Sequence, residues 1–239
     1  MFKLPRRPVE EAEIIDNFST PYRVAEKNYA FMEEVNSFYG GRRVITSFLS
    51  SELQTNRLRG KDSFSILDLG AGSCDIPAAV IKWGRQREIA VNYTCLEKHP
   101  AAVRRAREKN RLDKLQLVDG DILDYEPERR YDYVTISLVL HHFCFSDIQQ
   151  IIAKYSNFTR EAIIVNDLFR HPVLYFLTWL RTRITTQENR HDALLSVKKG
   201  FTPEELKTLT AGLPGLSVRV ERLPLFRLQA IFRPERSSP

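Results

Sequence analysis

The sequence predicts an α/β protein built on a doubly wound, mostly parallel sheet of seven strands whose last strand is antiparallel. Residues 61 to 167 alternate short apolar runs with longer amphipathic stretches, which is the pattern of repeated β–α–β units. The runs IAVNYTCL, YDYVTISLVL and EAIIVNDL are apolar almost throughout, as strands covered on both faces require. A chain of 239 residues is long enough for one such domain with a smaller elaboration.

Five strands and three helices account for the alternating region. The predicted strands are Ser65 to Gly70, Ala90 to Leu96, Leu115 to Val118, Tyr131 to Ser137 and Ala162 to Asp167. The predicted helices between them are Asp75 to Gln86, Pro100 to Asn110 and Ser146 to Tyr155. Two further strands, Leu216 to Arg222 and Phe226 to Phe232, should pair antiparallel at one edge because only three residues separate them.

Two segments interrupt this pattern and are predicted to cap the sheet. Residues 1–60 should form an amino-terminal helical cap over its carboxyl edge, and residues 61–239 the main domain. The cap helices are expected at Pro8 to Phe18, Tyr22 to Phe38 and Arg42 to Leu53. Residues 168–201, which include the run HPVLYFLTWL, form an insertion after the fifth strand. The next helix is predicted from Thr202 as N-cap, Pro203 at its first position and Glu205 completing a capping box.

Composition excludes several classes of protein. No apolar core follows the basic residues of the amino terminus, so no secretory signal is predicted. The most apolar runs are less than half as long as the roughly 20 residues of a membrane-spanning helix. Cys74, Cys95 and Cys144 are widely spaced and odd in number, which favours free thiols in a cytoplasmic protein and no metal site. The net charge of +6 is spread over pairs of basic residues interleaved with acidic ones, so a solvated surface is favoured over nucleic-acid binding.

The first strand runs into the segment Asp68-Leu-Gly70-Ala71-Gly72-Ser, which places two glycines in a tight turn before a helix. Glycine at such a turn lets the backbone approach a bound nucleotide closely. A dinucleotide-binding turn has a third glycine where this chain has Asp75, whose carboxylate would repel a pyrophosphate. The turn therefore favours a ligand that ends in a zwitterionic amino acid and a sulfonium cation.

Acidic residues also follow the second and third strands. Glu97, followed by Lys98, ends the second strand, where a carboxylate can accept hydrogen bonds from both hydroxyls of a ribose. Capping of the next helix is the alternative function, and the two are compatible. After the third strand, Asp121 is positioned to accept an adenine amino group, and Ile122 to pack on the ring.

The chain resembles the class I S-adenosylmethionine-dependent methyltransferases, whose fold is Rossmann-like. The resemblance rests on ILDLGAGSCD, LEK, GDILDY, YDYVTISLVLHHF and FTPEEL, and it covers residues 61 to 232. It is strongest toward small-molecule enzymes of the quinone-biosynthesis type and toward relatives in natural-product pathways. The serine and cysteine after Gly72 depart from the usual pattern, which leaves the contacts to the methionine end open. The resemblance implies S-adenosylmethionine as cofactor, held by Asp68, Gly70, Ala71, Gly72, Asp75, Glu97, Lys98, Asp121, Ile122, Ser137 and Leu138.

His141 and His142 follow the fourth strand, where a group could reach a reacting acceptor. Histidine can remove a phenolic proton at neutral pH, and adjacent histidines point in different directions. We therefore expect at most one of them to act in catalysis or to orient the acceptor, with His142 the candidate before His141, although the sequence favours a packing or hydrogen-bonding role for His142 over the catalytic one. The expected reaction is methylation of oxygen, or less favourably carbon, in a small aromatic, polyketide-like or quinone-like acceptor.

The predicted acceptor contacts come from the cap and from the end of the fifth strand. An apolar pocket is one interpretation of the aromatic residues, and simple packing of the cap on the core is the other. Peripheral contact with a membrane, methylation of RNA and cofactor binding without catalysis remain alternatives. The candidate acceptor-binding residues are Tyr22, Tyr29, Asn166, Arg170, Tyr175 and Trp179.

Overall fold

Seven strands form the central sheet of the computed structural model, which describes residues 7–55, 57–58, 60–109, 114–211 and 213–235. The sheet order is 3-2-1-4-5-7-6. All neighbours pair in parallel except at the last strand of the chain, which is antiparallel to both of its neighbours. This confirms the predicted fold class. The strands are β1 (Ser63–Leu69), β2 (Ala90–Glu97), β3 (Leu115–Asp119), β4 (Tyr131–Ser137), β5 (Thr159–Leu168), β6 (Leu216–Leu223) and β7 (Arg227–Pro234).

The helices cover both faces of the sheet and its carboxyl edge. They are α1 (Tyr22–Phe38), α2 (Gly41–Gln54), α3 (Asp75–Arg85), α4 (Pro100–Lys109), α5 (Phe145–Ser156), α6 (Pro172–Arg181), α7 (Gln187–Lys199) and α8 (Pro203–Thr210). The capping box of α8 is confirmed, since the side chain of Thr202 accepts from Glu205 N and that of Glu205 accepts from Thr202 N. The predicted end of the fourth helix at Asn110 lies outside the described residues.

The predicted helix from Pro8 to Phe18 is wrong. This segment holds only a short 3₁₀ helix at Ile14–Asp16. The carboxylate of Asp192 on α7 accepts hydrogen bonds from Ile14 N at 2.8 Å and from Ile15 N at 3.1 Å. Because these amide groups are bonded by a side chain distant in sequence, the segment can lie across α7 without forming an α-helix of its own.

Successive side chains of the central strands alternate between two hydrophobic cores. Ile66 and Tyr133 point into a core shared with α2 and α3, where Phe48 and Trp83 also lie. The neighbouring residues on the same strands, such as Leu67 and Val134, point into a second core that includes α5 and α8. Two-sided burial explains why these strands are apolar throughout, and it leaves the carboxyl edge of the sheet as the surface available for a site.

The amino-terminal helices and the insertion after β5 lie over that edge. Helix α1 packs on α4 and α7, α2 packs on α3, and α6 packs on α7. No residue of α6 is fully buried, and its outward face exposes Val173, Phe176 and Leu180. No helix in the described parts of the chain is both long and apolar enough to cross a membrane.

Candidate active site

A cavity of about 480 Å³ opens at the carboxyl edge of the sheet. Its floor comes from the loops that follow β1, β2, β3 and β4, and its roof comes from α1, α6 and α7. Parallel strands direct their carboxyl ends to one edge, so segments far apart in sequence meet there. The predicted cofactor and acceptor residues are therefore expected to line this cavity.

The loop after β1 needs glycine for a steric reason at Gly70. This residue has φ +69°, and a Cβ atom built there would lie 2.6 Å from Cγ2 of Val139. Gly72 also has a positive φ, +56°. Cys74, the residue before α3, has φ 60° without being glycine, a conformation that costs free energy in a residue with a side chain. The loop is thus a sharply bent segment that brings backbone close to the cavity.

Asp68 lies at the end of β1, beneath this loop, and is 2% exposed. Thr135 Oγ1 donates a hydrogen bond of 2.6 Å to its carboxylate. Burial raises the pKa of Asp68 to about 7 against the effect of that hydrogen bond, and the negative charges of Asp75 and Glu97 raise it further. A cation bound in the cavity would stabilise the ionised carboxylate.

Glu97 ends β2 and is bonded to the glycine loop. Its Oε2 accepts from Gly72 N at 2.7 Å, and its Oε1 accepts from His99 N at 2.8 Å. Burial raises the pKa of Glu97, and the two backbone donors only partly offset that effect. The carboxylate is held in a fixed orientation in the cavity wall, and each oxygen keeps a second lone pair for a ligand hydroxyl.

Asp121, after β3, forms an ion pair with Lys98 at 2.9 Å and accepts from Leu123 N at 2.9 Å. Burial opposes ionisation of Asp121, but these hydrogen bonds outweigh it and lower the pKa of the carboxyl group. Ile122 lies beside it and is buried. A hydrogen-bond acceptor and an apolar side chain are thus adjacent, an arrangement suited to an adenine ring.

Asp75 has a second function besides facing the cavity. Arg42 Nε donates to Asp75 Oδ2 at 3.0 Å, and Asn36 Nδ2 donates to Oδ1 at 3.3 Å. These bonds join helices α1 and α2 to the first residue of α3. The carboxylate that replaces the third glycine of a dinucleotide-binding turn therefore also fixes the cap to the loop.

The structure brings together all the residues that the sequence assigns to the cofactor. They line one cavity, although they come from four different strand ends. The eleven residues are Asp68, Gly70, Ala71, Gly72, Asp75, Glu97, Lys98, Asp121, Ile122, Ser137 and Leu138.

His141 is buried in a network of carboxylates. Its Nδ1 lies 2.8 Å from Asp167 Oδ1, its backbone N donates to Asp167 Oδ2 at 3.2 Å, and its Nε2 lies 3.6 Å from Glu13 Oε1. Burial alone would lower the pKa of His141, but the two carboxylates outweigh it and raise the pKa to about 9. The ring is an imidazolium at neutral pH, so His141 stabilises the loop electrostatically and has no free lone pair for a proton.

His142 has a different environment. Both histidines line the cavity, but His142 is the more exposed of the two, and its Nδ1 lies 3.1 Å from Asp16 Oδ2. Asp16 also accepts from Glu13 N at 3.1 Å. Burial opposes ionisation of Asp16, but the hydrogen bond with His142 outweighs it and lowers the pKa of the carboxyl group to about 2. A carboxylate at Nδ1 favours the tautomer in which Nε2 carries the lone pair.

Of the six residues predicted to contact the acceptor, only Tyr29 lines the cavity. Tyr22 lies on the outer surface, where its hydroxyl donates to Glu108 at 3.3 Å. Asn166 is fully buried below the cavity floor. Arg170 is turned away and forms an ion pair with Glu205.

Tyr175 and Trp179 lie on a face of α6 that does not line the cavity. Tyr175 lies under the ammonium group of Lys198, and Trp179 stacks with Phe176. A different face of α6 lines the cavity, and its residues follow the helical spacing i, i+3, i+4, i+7. It consists of Leu174, Leu177, Thr178 and Arg181.

Several residues of the site were missed by sequence reasoning. Glu13 and Asp16 lie in a segment that was read as an ordinary cap helix, and their partners are more than a hundred residues away in the chain. Arg227 opens β7 and lines the cavity. The available signal was the alternation of β7, where Leu228, Ala230 and Phe232 point into the core and Arg227 must point to the other face.

The comparisons with known proteins agree with this geometry. Residues 67–161 match a family model described as a methyltransferase domain. A search of curated proteins gives no match.

Solved structures show the same fold at low sequence identity. The plantazolicin methyltransferase BpumL, crystallised with a pentazolic desmethylPZN analog and SAH, has a TM-score of 0.71 and 15% identity over 92% of this chain and 93% of its own. An O-methyltransferase family protein from Burkholderia thailandensis has a TM-score of 0.66 and 14% identity over 92% of this chain and 62% of its own. The mitomycin 7-O-methyltransferase MmcR has a TM-score of 0.54 and 20% identity over 72% of this chain and 49% of its own.

Residues 67–161 therefore match a methyltransferase domain, and the sheet order and overall fold are shared with solved methyltransferases. The plantazolicin methyltransferase BpumL holds SAH, the demethylated form of the S-adenosylmethionine that the sequence predicts for this chain. The residues present fit that molecule: burial raises the pKa of Asp68, Asp75 and Glu97 in one cavity, and such a group of carboxylates favours a cationic sulfonium and ammonium over a pyrophosphate.

Proposed function

We propose that the protein transfers the methyl group of S-adenosylmethionine to an oxygen atom of a small aromatic, polyketide-like or quinone-like acceptor. The observation that carries the proposal is the pairing of His142 with Asp16 in the wall of the cofactor cavity. A histidine held by a carboxylate at Nδ1 is suited to accept a proton at Nε2. His142 follows β4, and β4 is the neighbour of β1, whose carboxyl end carries the glycine loop.

Bound S-adenosylmethionine supplies a methyl group activated by positive sulfur, which the protein itself does not provide. With the cofactor bound, His142 Nε2 would accept the phenolic proton while the acceptor oxygen gained the methyl group, and SAH would be the leaving product. Asp16 stabilises the resulting imidazolium. The cap aligns the acceptor, and alignment can contribute about 7 to 11 kcal/mol in reactions of this kind.

The lining on the side of α1, α6 and α7 supports an apolar acceptor. Eight of the fifteen lining residues on these three helices are aliphatic or aromatic, and pockets for small molecules combine apolar surface with placed polar groups. The structural relatives named for plantazolicin and mitomycin act on natural products, which agrees with the proposal. The larger apolar residues on this side of the cavity are Ile15 and Phe18, which precede α1, and Tyr29, Phe31, Met32, Val35, Leu174, Leu177 and Val197.

The test is methyl transfer from labelled S-adenosylmethionine to a panel of phenols and quinols, with the methylated atom located by NMR. We expect the His142→Ala variant to lose about 10²- to 10⁴-fold in kcat, while its Kd for S-adenosylmethionine stays within about twofold because the side chain serves the acceptor. The Asp16→Asn variant should lower kcat by a smaller factor. Glu188→Gln, a change in the first turn of α7 at a residue that does not line the cavity, is the control.

The outcomes separate the competing functions. Unchanged turnover in His142→Ala would remove its role as a base. Labelling of carbon would replace O-methylation by C-methylation. Tight, salt-sensitive RNA binding with labelling of RNA would favour a nucleic-acid methyltransferase. Cofactor binding without transfer to any acceptor would indicate a protein that binds the cofactor only.

A further inference from the structure

Arg227 is a buried cation in the cavity wall whose guanidinium group is only partly bonded. It is 1% exposed. Its Nε donates to the backbone oxygen of Tyr39 at 3.1 Å. Neither Nη1 nor Nη2 has a hydrogen-bond partner among the described residues. Burying a charged donor without a partner is unfavourable, so an arrangement of this kind points to a ligand that supplies the missing acceptors.

The other two lysine or arginine side chains among the described residues of the cavity wall have carboxylate partners. Lys98 pairs with Asp121 at 2.9 Å, and Arg181 pairs with Glu34 at 2.6 Å. Arg227 is the exception.

The nearest carboxylates act on Arg227 only through space. Asp167 is hydrogen bonded to His141, and Asp75 to Arg42 and Asn36. Burial lowers the pKa of Arg227 to about 10 against the influence of these two charges. The guanidinium is therefore still charged at neutral pH, and both ends of its fork remain available to an anion.

The sheet order separates Arg227 from the cofactor residues that end β1, β2 and β3, although the carboxylate of Asp75 at the start of α3 still acts on it through space. Asp68, Glu97 and Asp121 end β1, β2 and β3, whereas β7 lies on the far side of β5 from β4. Arg227 is opposite Leu168 in the register of β5 and β7. It thus lies beyond the β4 loop that carries His142, on the acceptor half of the cavity.

The row of side chains next to Arg227 is also polar and incompletely bonded. Ser137, Asn166 and Gln229 are register partners across β4, β5 and β7, so they share one face of the sheet. Each has at least one buried polar atom without a hydrogen-bond partner among the described residues. Ser137 is the member of this row that lines the cavity, so its hydroxyl is open to a polar group bound beside Arg227.

The turn before Arg227 has a strained backbone that surrounding contacts hold in place. Leu225 and Phe226 both have positive φ values, 60° and 56°, and both line the cavity. Residues other than glycine are rarely found there, and the strain persists only where surrounding contacts impose it. One such contact is the hydrogen bond from Phe169 N to Phe226 O at 2.9 Å.

We propose that Arg227 binds a carboxylate of the acceptor, so that the physiological acceptor is an aromatic acid with a hydroxyl group to be methylated. This inference rests on the proposed function and adds the charge of the substrate to it. The planar fork of arginine matches a carboxylate with two parallel hydrogen bonds. With its carboxylate at the β7 end, the acceptor would extend its ring and hydroxyl toward His142 after β4.

The test compares orsellinate with orcinol, which is the same phenol without the carboxylate, in binding and in methyl transfer. Binding to the protein saturated with SAH is measured by calorimetry and by the shift in Tm. The wild type should bind orsellinate about 10- to 100-fold more tightly than orcinol, as expected for a charge-assisted pair. Arg227→Gln should abolish this preference and leave the affinity for orcinol unchanged, and Arg227→Lys should keep part of it.

Arg219→Gln is the matched control, because Arg219 belongs to the same hairpin and is largely exposed. Arg227→Gln should also raise the Tm of the ligand-free protein, since it removes a buried charge without a partner, and this result shows that the variant folds. Equal wild-type binding of the two compounds, or binding of neither, overturns the proposal. A loss of SAH affinity in Arg227→Gln with the preference retained would assign the arginine to the methionine carboxylate instead. Preferential binding of orsellinate without methylation would support the anion site while contradicting the proposed function.

Discussion

At the scale of single residues, the site shows how surroundings give similar side chains different functions. His141 and His142 are adjacent and both line the cavity. His141 is buried between Asp167 and Glu13, whereas His142 is partly exposed and its Nδ1 is paired with Asp16. The sequence predicted that at most one of them would face the acceptor. It could not show which imidazole is held as a cation, because Glu13 and Asp16 are far away in the chain.

Asp68 gives a prediction about stability. Its pKa is raised to about 7, so its stabilising contribution is complete below its unfolded pKa of about 3.9 and is lost as the pH rises through 7. Asp68→Asn should therefore stabilise the cofactor-free protein at pH 8 by about 1 to 4 kcal/mol and have little effect near pH 4. It should also weaken binding of S-adenosylmethionine, because the amide lacks the negative charge.

Denaturant unfolding at the two pH values, together with calorimetric titration of the cofactor, measures both effects. Asp132→Asn is the control, because its effect on stability at pH 8 should be opposite to that of Asp68→Asn. Asp132 accepts hydrogen bonds from Ser65 N and Oγ at 2.8 and 2.9 Å, and despite its burial these bonds lower its pKa. Its replacement should destabilise the protein at pH 8. Destabilisation by both variants would contradict this account of Asp68.

At the scale of secondary-structure elements, regular segments were predictable and irregular ones were not. The bounds of α1 and β4 agree with the sequence prediction residue for residue. Their hydrophobic periods and local end signals are contained within the segments themselves. The stretch around Ile14 also contains apolar residues, but its conformation is decided by the carboxylate of Asp192 on α7. The predicted acceptor contacts of Tyr175 and Trp179 are absent from the cavity wall for a related reason. A sequence pattern defines the faces of α6, but it does not show which face packs over the cavity.

Asp192 gives a prediction about the cap. Besides the two amides of the 3₁₀ helix, its carboxylate accepts from Asn28 Nδ2 of α1 at 2.8 Å, so it connects three elements. Asp192→Ala should lower stability by about 1 to 3 kcal/mol because it leaves buried donors without partners. It should also lower kcat, since Asp16 is held by the same segment, and leave the Kd for S-adenosylmethionine nearly unchanged.

Thermal unfolding, steady-state kinetics and cofactor titration on one preparation of Asp192→Ala provide the comparison. Glu188→Ala, a change in the first turn of the same helix, serves as the control. An equal loss of cofactor affinity and turnover would show that the substitution disrupts the whole cap. This outcome would contradict the prediction that Asp192 supports the acceptor part of the site and not the cofactor part.

At the scale of the whole molecule, the pH dependence of stability follows from a few individual groups rather than from net charge; three of the groups lie at the site, and Glu33 is paired with Arg105 and Lys109. Asp68 and His141 have raised pKa values, about 7 and about 9, so their contributions are lost as the pH rises through those values. Glu33 and Asp16 have pKa values lowered to about 2, so theirs are lost on acidification below about pH 4.

The cofactor-free protein should therefore have its highest Tm near pH 5 and become less stable toward pH 9, although the chain is basic. A scan of Tm from pH 3 to pH 10 tests this. Saturating S-adenosylmethionine should reduce the decline between pH 5 and pH 7, because it favours the ionised form of Asp68. A maximum near the isoelectric point would contradict the prediction.

The attachment of the segment around Asp16 determines the order in which the molecule becomes functional. The glycine loop, Glu97 and Asp121 all lie within one stretch of β–α units, so the cofactor half of the site is complete once the first half of the sheet has formed. The pair of Asp16 and His142 spans 126 positions of the chain, and the bond from Ile14 to Asp192 spans 178. Because closing a long loop costs chain entropy, we expect these contacts to form late in folding. In a refolding experiment, recovery of cofactor binding should therefore precede recovery of methyl transfer.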